Sequence, residues 1–248
     1  KRWCSSDMIQ DIWPKHLDNQ YKNLKPGNED TVFYFQGSSL LARPSGHFNS
    51  QNPEENVLIY PQYDEFVQGI KSSYGDKAVD NFEFIYLLSI DEEHFFLARK
   101  TGSLERGTFL GEMADSAVHK DMYSFVRGYE FVGVDSFRKA QPREHAYAAI
   151  TAFHLYGWYR DNHFCGRCGK PLKHDDKQRM LRCDCCKNMV FPKICPAVIV
   201  AVTDKDRILL TKYAGRTYRN YALIAGFTEI GETTEETVSR EVMEEVGV

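Results

Sequence analysis

Seven residues in one register constrain this chain most. Gly226, Glu232, Arg240, Glu241, Glu244, Glu245 and Gly247 fit the pattern Gly-x5-Glu-x7-Arg-Glu-U-x-Glu-Glu-x-Gly-U, with Val242 and Val248 in the bulky aliphatic U positions. Successive residues of a helix turn by about 100°, so Glu241, Glu244 and Glu245 at i, i+3 and i+4 leave from one face. Val238, Val242 and Val246, spaced by four, take the neighbouring face and are expected to bury it. Like charges crowded in this way, with no lysine to relieve them, repel one another on a merely solvated helix. The pattern therefore predicts a helix anchored by valines, with its glutamates forming an oxygen cage for a hard divalent cation such as Mg²⁺ or Mn²⁺. Arg240 is placed to hold those carboxylates in register. Gly226 and Gly231 bracket a loop that must bend sharply, and Thr233 or Thr234 is the expected N-cap, followed by Glu236 or Glu235.

The second constraint comes from four of the seven cysteines. Cys165-x2-Cys168 and Cys183-x2-Cys186, with 14 residues between the pairs, have the spacing of a zinc ribbon in which two knuckles close a tetrahedral Cys4 site. Gly166 and Gly169 suit the knuckle turns. Cys185 adjoins Cys186 and competes as the fourth ligand, but Cys183-x-Cys185 would be a tighter knuckle, which favours Cys186. Four protein ligands leave no open position, so zinc here would be structural. Cys4 and Cys195 are expected to be ordinary free thiols.

Composition excludes little else. Hydrophobic content of 42% and charge of 27% describe a globular protein. With no apolar run of about 18 residues and no signal-peptide pattern, the expectation is a cytoplasmic protein without a membrane span. Net charge is −4, yet residues 164–193 carry eight Lys or Arg against three Asp, a local basic patch able to hold RNA phosphates.

The chain is expected to be α+β. A β-rich N-terminal domain covers 1–130, with a hairpin of 31–36 and 39–43 around Gly37 and Ser38, and another of 84–90 and 94–99 around Asp91, Glu92 and Glu93. A connector, 131–163, holds a helix from Pro142 to Arg160 with Pro at its first position. The ribbon occupies 164–193. Strands at 197–203, 208–213 and 221–225 then lead into the glutamate-rich helix, in a last domain of 194–248.

These landmarks together resemble a known family. A helix, WYRDNHFCGRCG at 158–169, a second Cys pair, FPKICPAVIVAV at 191–202 and IAGFTEIGE at 224–232 closely resemble the NADH pyrophosphatases, zinc-ribbon Nudix hydrolases that include an enzyme removing NAD caps from RNA. The resemblance is specific from about residue 158 onward and loose before it. It implies a Nudix α/β/α sandwich after the ribbon, hydrolysis of the pyrophosphate of NADH or NAD⁺ to nicotinamide mononucleotide and AMP, and a homodimer. It assigns Mg²⁺ or Mn²⁺ to Glu241 and Glu245, with Glu244 and the Ala225 carbonyl alongside. Glu245 or a neighbouring carboxylate would accept the proton, and Arg240 and Glu232 complete the catalytic set. Phe191 and Phe227 sit where aromatic rings stack on the substrate, and Arg216 and Arg219 could hold phosphate. Family members continue past the position of Val248 with further strands, a closing helix, another metal-binding glutamate and a proline-rich aromatic motif. None follows here, so the C-terminal part of the sandwich is expected to be missing and the 248-residue chain to hydrolyse little. Three other readings are a Nudix hydrolase of another nucleoside diphosphate derivative, an RNA-binding ribbon protein without turnover, and a silent scaffold.

Overall fold

The computed structural model describes residues 8–45, 57–101, 124–215 and 220–248; Cys4, Arg216 and Arg219 lie outside them. The chain divides into two compact units, Lys1–Pro192 and Lys193–Val248. No helix among the described residues is long and apolar enough to cross a membrane.

The first unit runs β1 (Leu17–Asp18), β2 (Thr31–Phe33), β3 (Phe35–Gln36), β4 (Ser39–Ser45), β5 (Val57–Ile59), α1 (Tyr63–Tyr74), β6 (Phe82–Ile90), β7 (Glu93–Lys100), β8 (Glu130–Gly133), α2 (Arg143–Asp161), β9 (Leu172–His174), β10 (Leu181–Cys183) and β11 (Met189–Val190). One sheet has the order β1-β6-β7-β2, and β3, β4, β5 and β8 form a second around β4. The β6–β7 hairpin turns on Asp91 and Glu92, with Asp91 at φ 51° and Ile90 opposite Glu93. Its turn is one residue shorter than the sequence suggests. The expected 31–36 strand is split: Thr31–Phe33 pairs in parallel with β7, while Phe35 and Gln36 pair antiparallel with Leu40 and Ser39. Apolar side chains on both sides of Tyr34 serve two sheets at once, a division that alternation alone cannot reveal.

An irregularity in register between Tyr86 and Leu88 explains the continuous apolar run of β6. The extra residue lets Leu87 and Leu88 face one core while Tyr86 joins the other. Phe66 and Ile70 of α1 enter the core with Tyr86 and Phe96; Ala146, Ala148, Ala149 and Ala152 of α2 enter the other with Leu87, Phe95 and Leu97. Small side chains on α2 allow the close packing, and the helix is a core element rather than only a connector. Pro142 is its N-cap, not its first helical residue. Leu181 of the three-stranded β11-β10-β9 sheet is buried in the same core.

The second unit holds β12 (Ala197–Val200), β13 (Thr203–Asp204), β14 (Arg207–Ile208), β15 (Ile224–Phe227) and α3 (Thr234–Val246). β12 pairs antiparallel with β15, Ala197 opposite Phe227, and β13 with β14. The last strand lies later than the expected 221–225 because its pairing with β12 extends through Gly226 and Phe227. Thr211 and Ala222 form only an isolated bridge. Ile224 and Thr237 are the buried residues of this unit among those described.

Candidate active site and metal centre

In the first unit Cys165, Cys168, Cys183 and Cys186 offer sulfurs that all lie within 4.8 Å of one another, while Cys185 is exposed. The sulfur separations of 3.5 Å for Cys165–Cys186 and 3.4 Å for Cys168–Cys183 approach the ~3.8 Å edge of a tetrahedron with metal–sulfur bonds of ~2.3 Å. Such a set could hold a metal ion. The two knuckles repeat one hydrogen-bonding scheme. The amides of Cys165 and Cys183 donate to the carbonyls of Lys170 and Asn188, while their own carbonyls accept from Gly169 and Lys187. The equivalent positions Gly169 (φ 70°) and Lys187 (φ 60°) are left-handed. Gly166 is not among the positive-φ residues, so of the two glycines only Gly169 meets a backbone demand. Burial opposes a Cys165 thiolate, but hydrogen bonds from the Arg167 and Cys168 amides outweigh it and bring the thiol down to about 6.

In the second unit Thr233 caps α3: its hydroxyl accepts from the Glu236 amide at 3.2 Å, and the Glu236 carboxylate accepts from the Thr233 amide at 2.8 Å, a complete capping box. Gly247 ends the helix at φ 72°. Arg240 ties the loop to the helix. Its Nε and a terminal nitrogen donate to the two Glu232 oxygens at 2.6 and 3.0 Å, and that terminal nitrogen also reaches the Phe227 carbonyl at 2.9 Å. The other terminal nitrogen donates to Glu241 at 2.8 Å and Glu244 at 3.2 Å. The Arg240 guanidinium holds the Glu232 carboxyl down to about 2, with help from the Glu229 amide.

Gly226 is the counterpart of this clasp. A Cβ there would coincide with the Glu241 carboxyl group, so only glycine lets that side chain lie across β15. Thr237, fully buried, lies 3.0 Å from both the Glu232 carboxylate and the Thr233 carbonyl. Sequence reasoning missed it, although its i+4 spacing from Thr233 was a signal. Glu244 and Glu245 are exposed. Among the described residues only the cysteines form a group of three or more ligands within 4.8 Å. Glu241 and Glu244 are paired with Arg240, the partner that the sequence places beside them. Val238, Val242 and Val246 are half-buried, as expected of the anchoring face. Phe191 is 52% and Phe227 67% exposed, so neither serves as core packing.

A loop closed onto a helix by an Arg–Glu clasp, with exposed carboxylates one turn further on, belongs to a recognisable class. Residues 193–248 match the NUDIX domain family. Among curated proteins the chain is similar to NAD-capped RNA hydrolases. It is 40% identical over 94 residues to the NAD-capped RNA hydrolases NudC of Salmonella typhi, Salmonella heidelberg and Salmonella paratyphi B. Each match covers 38% of this chain and 37% of the relative, so the similarity spans little more than a third of those proteins.

Proposed function

We propose that the protein hydrolyses the pyrophosphate bond of NADH or NAD⁺, as a free dinucleotide or as the cap of an RNA, with Glu245 and Glu241 at the centre of the chemistry. The observation that carries this reading is the Arg240 clasp. It fixes Glu241 against Gly226, while Glu245 stands one turn further along α3, exposed to solvent. Glu241, Glu244, Glu245 and the Ala225 carbonyl offer oxygen donors, which fit a hard cation such as Mg²⁺ or Mn²⁺. A divalent cation there would neutralise pyrophosphate charge and make water easier to deprotonate.

Glu245 accepts the proton of the attacking water as its oxygen bonds to phosphorus. The bridging P–O bond breaks, releasing nicotinamide mononucleotide and AMP. Arg240 and Glu232 act as positioning residues, because their partners are the loop and helix that present Glu241 and Glu245. Phe227 and Phe191, exposed rather than packed, are available to stack on a base or the nicotinamide ring. Zinc fits the four cysteines as a structural ion, thiolates being its preferred closed donor set. The homodimer implied by the family is part of the same reading.

The test is to incubate the native protein with NADH and Mg²⁺ or Mn²⁺ and separate the products. Nicotinamide mononucleotide and AMP in equal amounts support the proposal; turnover of another nucleoside diphosphate derivative with NADH left intact replaces it with a different Nudix substrate. A second reading, RNA binding without turnover, draws on the exposed Phe164, Arg167, Lys170 and Lys187. Its charge is smaller than composition suggests, since Lys173 pairs with Asp184 at 2.6 Å and Arg179 is turned inward to the carbonyls of Asn19 and Leu87. Binding that weakens steeply with salt while NADH stays intact would favour it.

A further inference from the structure

Only one residue of α3 is fully buried, and it is a threonine. Val238, Val242 and Val246, the apolar residues spaced to anchor this helix, are half-buried. Taking a hydroxyl out of water costs free energy unless a partner inside the protein replaces the water. Thr237 has two acceptors within reach, Glu232 Oε2 and the Thr233 carbonyl, each at 3.0 Å. A hydroxyl carries one proton and donates to one of them at a time.

The choice falls on the carboxylate. The Thr233 carbonyl already accepts the Thr237 amide at 3.0 Å, so it is satisfied without the hydroxyl. A bond to a charged oxygen is also about twice as strong as one between neutral groups, and no water competes at a fully buried site. Ser239 shows the ordinary helical alternative, an exposed hydroxyl bonded to the Glu235 carbonyl four residues back. Glu232 lies just before the N-cap, and its side chain folds back over the helix to meet Thr237 and Arg240, which are three residues apart and share a face. Arg240 grips the carboxylate from a partly exposed position, and Thr237 holds it from the buried one.

We propose that Thr237, which is not one of the fixed positions of the sequence pattern, is a positioning residue for the hydrolysis proposed above: its hydroxyl fixes the Glu232 carboxylate where it holds Arg240 and, through Arg240, Glu241. Without the hydroxyl the carboxylate keeps its bonds to Arg240 and to the Glu229 amide but loses its tie to the buried side of α3. Carboxylate and guanidinium can then shift together, and Glu241, 2.8 Å from that guanidinium, shifts with them. Only the effect on turnover rests on the hydrolytic reading; the hydrogen bond does not.

Valine and serine separate the two things a buried threonine can do. Thr237→Val keeps the volume and removes the hydroxyl, whereas Thr237→Ser keeps the hydroxyl and removes a methyl group. In the whole chain with Mg²⁺, Thr237→Val should lower kcat for NADH by about tenfold, the scale of one lost hydrogen bond, with KM little changed, and Thr237→Ser should retain most of the rate. The Arg240 Nε–H resonance should move in the valine variant and stay in place in the serine variant. In the unaltered protein the Thr237 hydroxyl proton should give a slowly exchanging signal with a through-space contact to the Glu229 amide, which donates to the same Glu232 oxygen. That signal decides the matter should Thr237→Val fail to fold. An unchanged kcat with an unmoved Arg240 signal in Thr237→Val, a larger loss in Thr237→Ser than in Thr237→Val, or a hydroxyl proton exchanging as fast as water would each overturn the proposal. If the unaltered protein leaves NADH intact, the reading of the reaction fails, and the two spectral measurements still decide the role of Thr237.

Discussion

With Glu232, Glu241, Glu244 and the Phe227 carbonyl all drawing on one guanidinium, Arg240 is the residue on which the box loop and its helix most depend. Lysine keeps the charge but cannot form the paired bonds to Glu232. Arg240→Lys should therefore lower NADH turnover while zinc content and the fold of the first unit stay unchanged; a variant as active as the parent would remove the clasp from the account. Glu232 supplies a pH signature. Its folded value of about 2 lies below the ordinary 4.5, so its pairing contributes stability that is fully present above 4.5 and is lost as pH falls through about 2. A carboxyl resonance of Glu232 titrating near 2 is expected, and a midpoint near 4.5 would contradict the geometry. Gly226→Ala should displace the Glu241 carboxyl from its place beside Arg240 at little cost in stability, because that carboxyl is the free end of a flexible side chain. NADH turnover equal to that of the parent would count against a role for this placement of Glu241. The sequence made Gly226, Glu232 and Arg240 visible by spacing. It could not disclose that Gly226 would lie against the Glu241 carboxyl, since that depends on where β15 crosses the helix.

At the scale of elements, the helices and knuckles were legible and the sheets only partly so. Capping residues and valine spacing act within a few residues, and α3 begins at the Thr233–Glu236 capping box for that local reason. The partition of 31–36 between two sheets depends on partners at 95–97 and 39–40, which local pattern does not encode. The Cys knuckles fall between these cases. Their spacing is local, but only the folded sheet brings Cys186, and not Cys185, to the other three sulfurs. Cys183→Ser should accordingly lose zinc and unfold the β9–β11 region, since metal binding at such a site is folding energy. Cys185→Ser should retain zinc, as measured by elemental analysis. Severe loss in the Cys185 variant would mean that the ligand set is wrong.

Over the whole molecule the two units differ in how much they bury. The first has two aromatic-rich cores on either side of the β1-β6-β7-β2 sheet, whereas in the second Ile224 and Thr237 are the buried residues among those described. Amides of Leu87, Phe95 and Leu97 should exchange far more slowly than those of β12 and β15, because exchange follows local burial and packing. Uniform protection across both units would argue against this contrast. The composition already favoured a globular chain, but the shared core that joins α2 and Leu181 to the N-terminal sheets arises from contacts distant in sequence, such as Phe35 against Phe153 and Tyr156. For the second unit the most direct measurement is NADH hydrolysis by the native protein beside its Glu245→Gln variant, each with saturating Mg²⁺ and with Mn²⁺. Glutamine preserves shape and removes charge, so the account predicts a folded, zinc-containing variant whose turnover falls by at least about a hundredfold, the scale of a lost general base. Turnover close to that of the unaltered protein would contradict it.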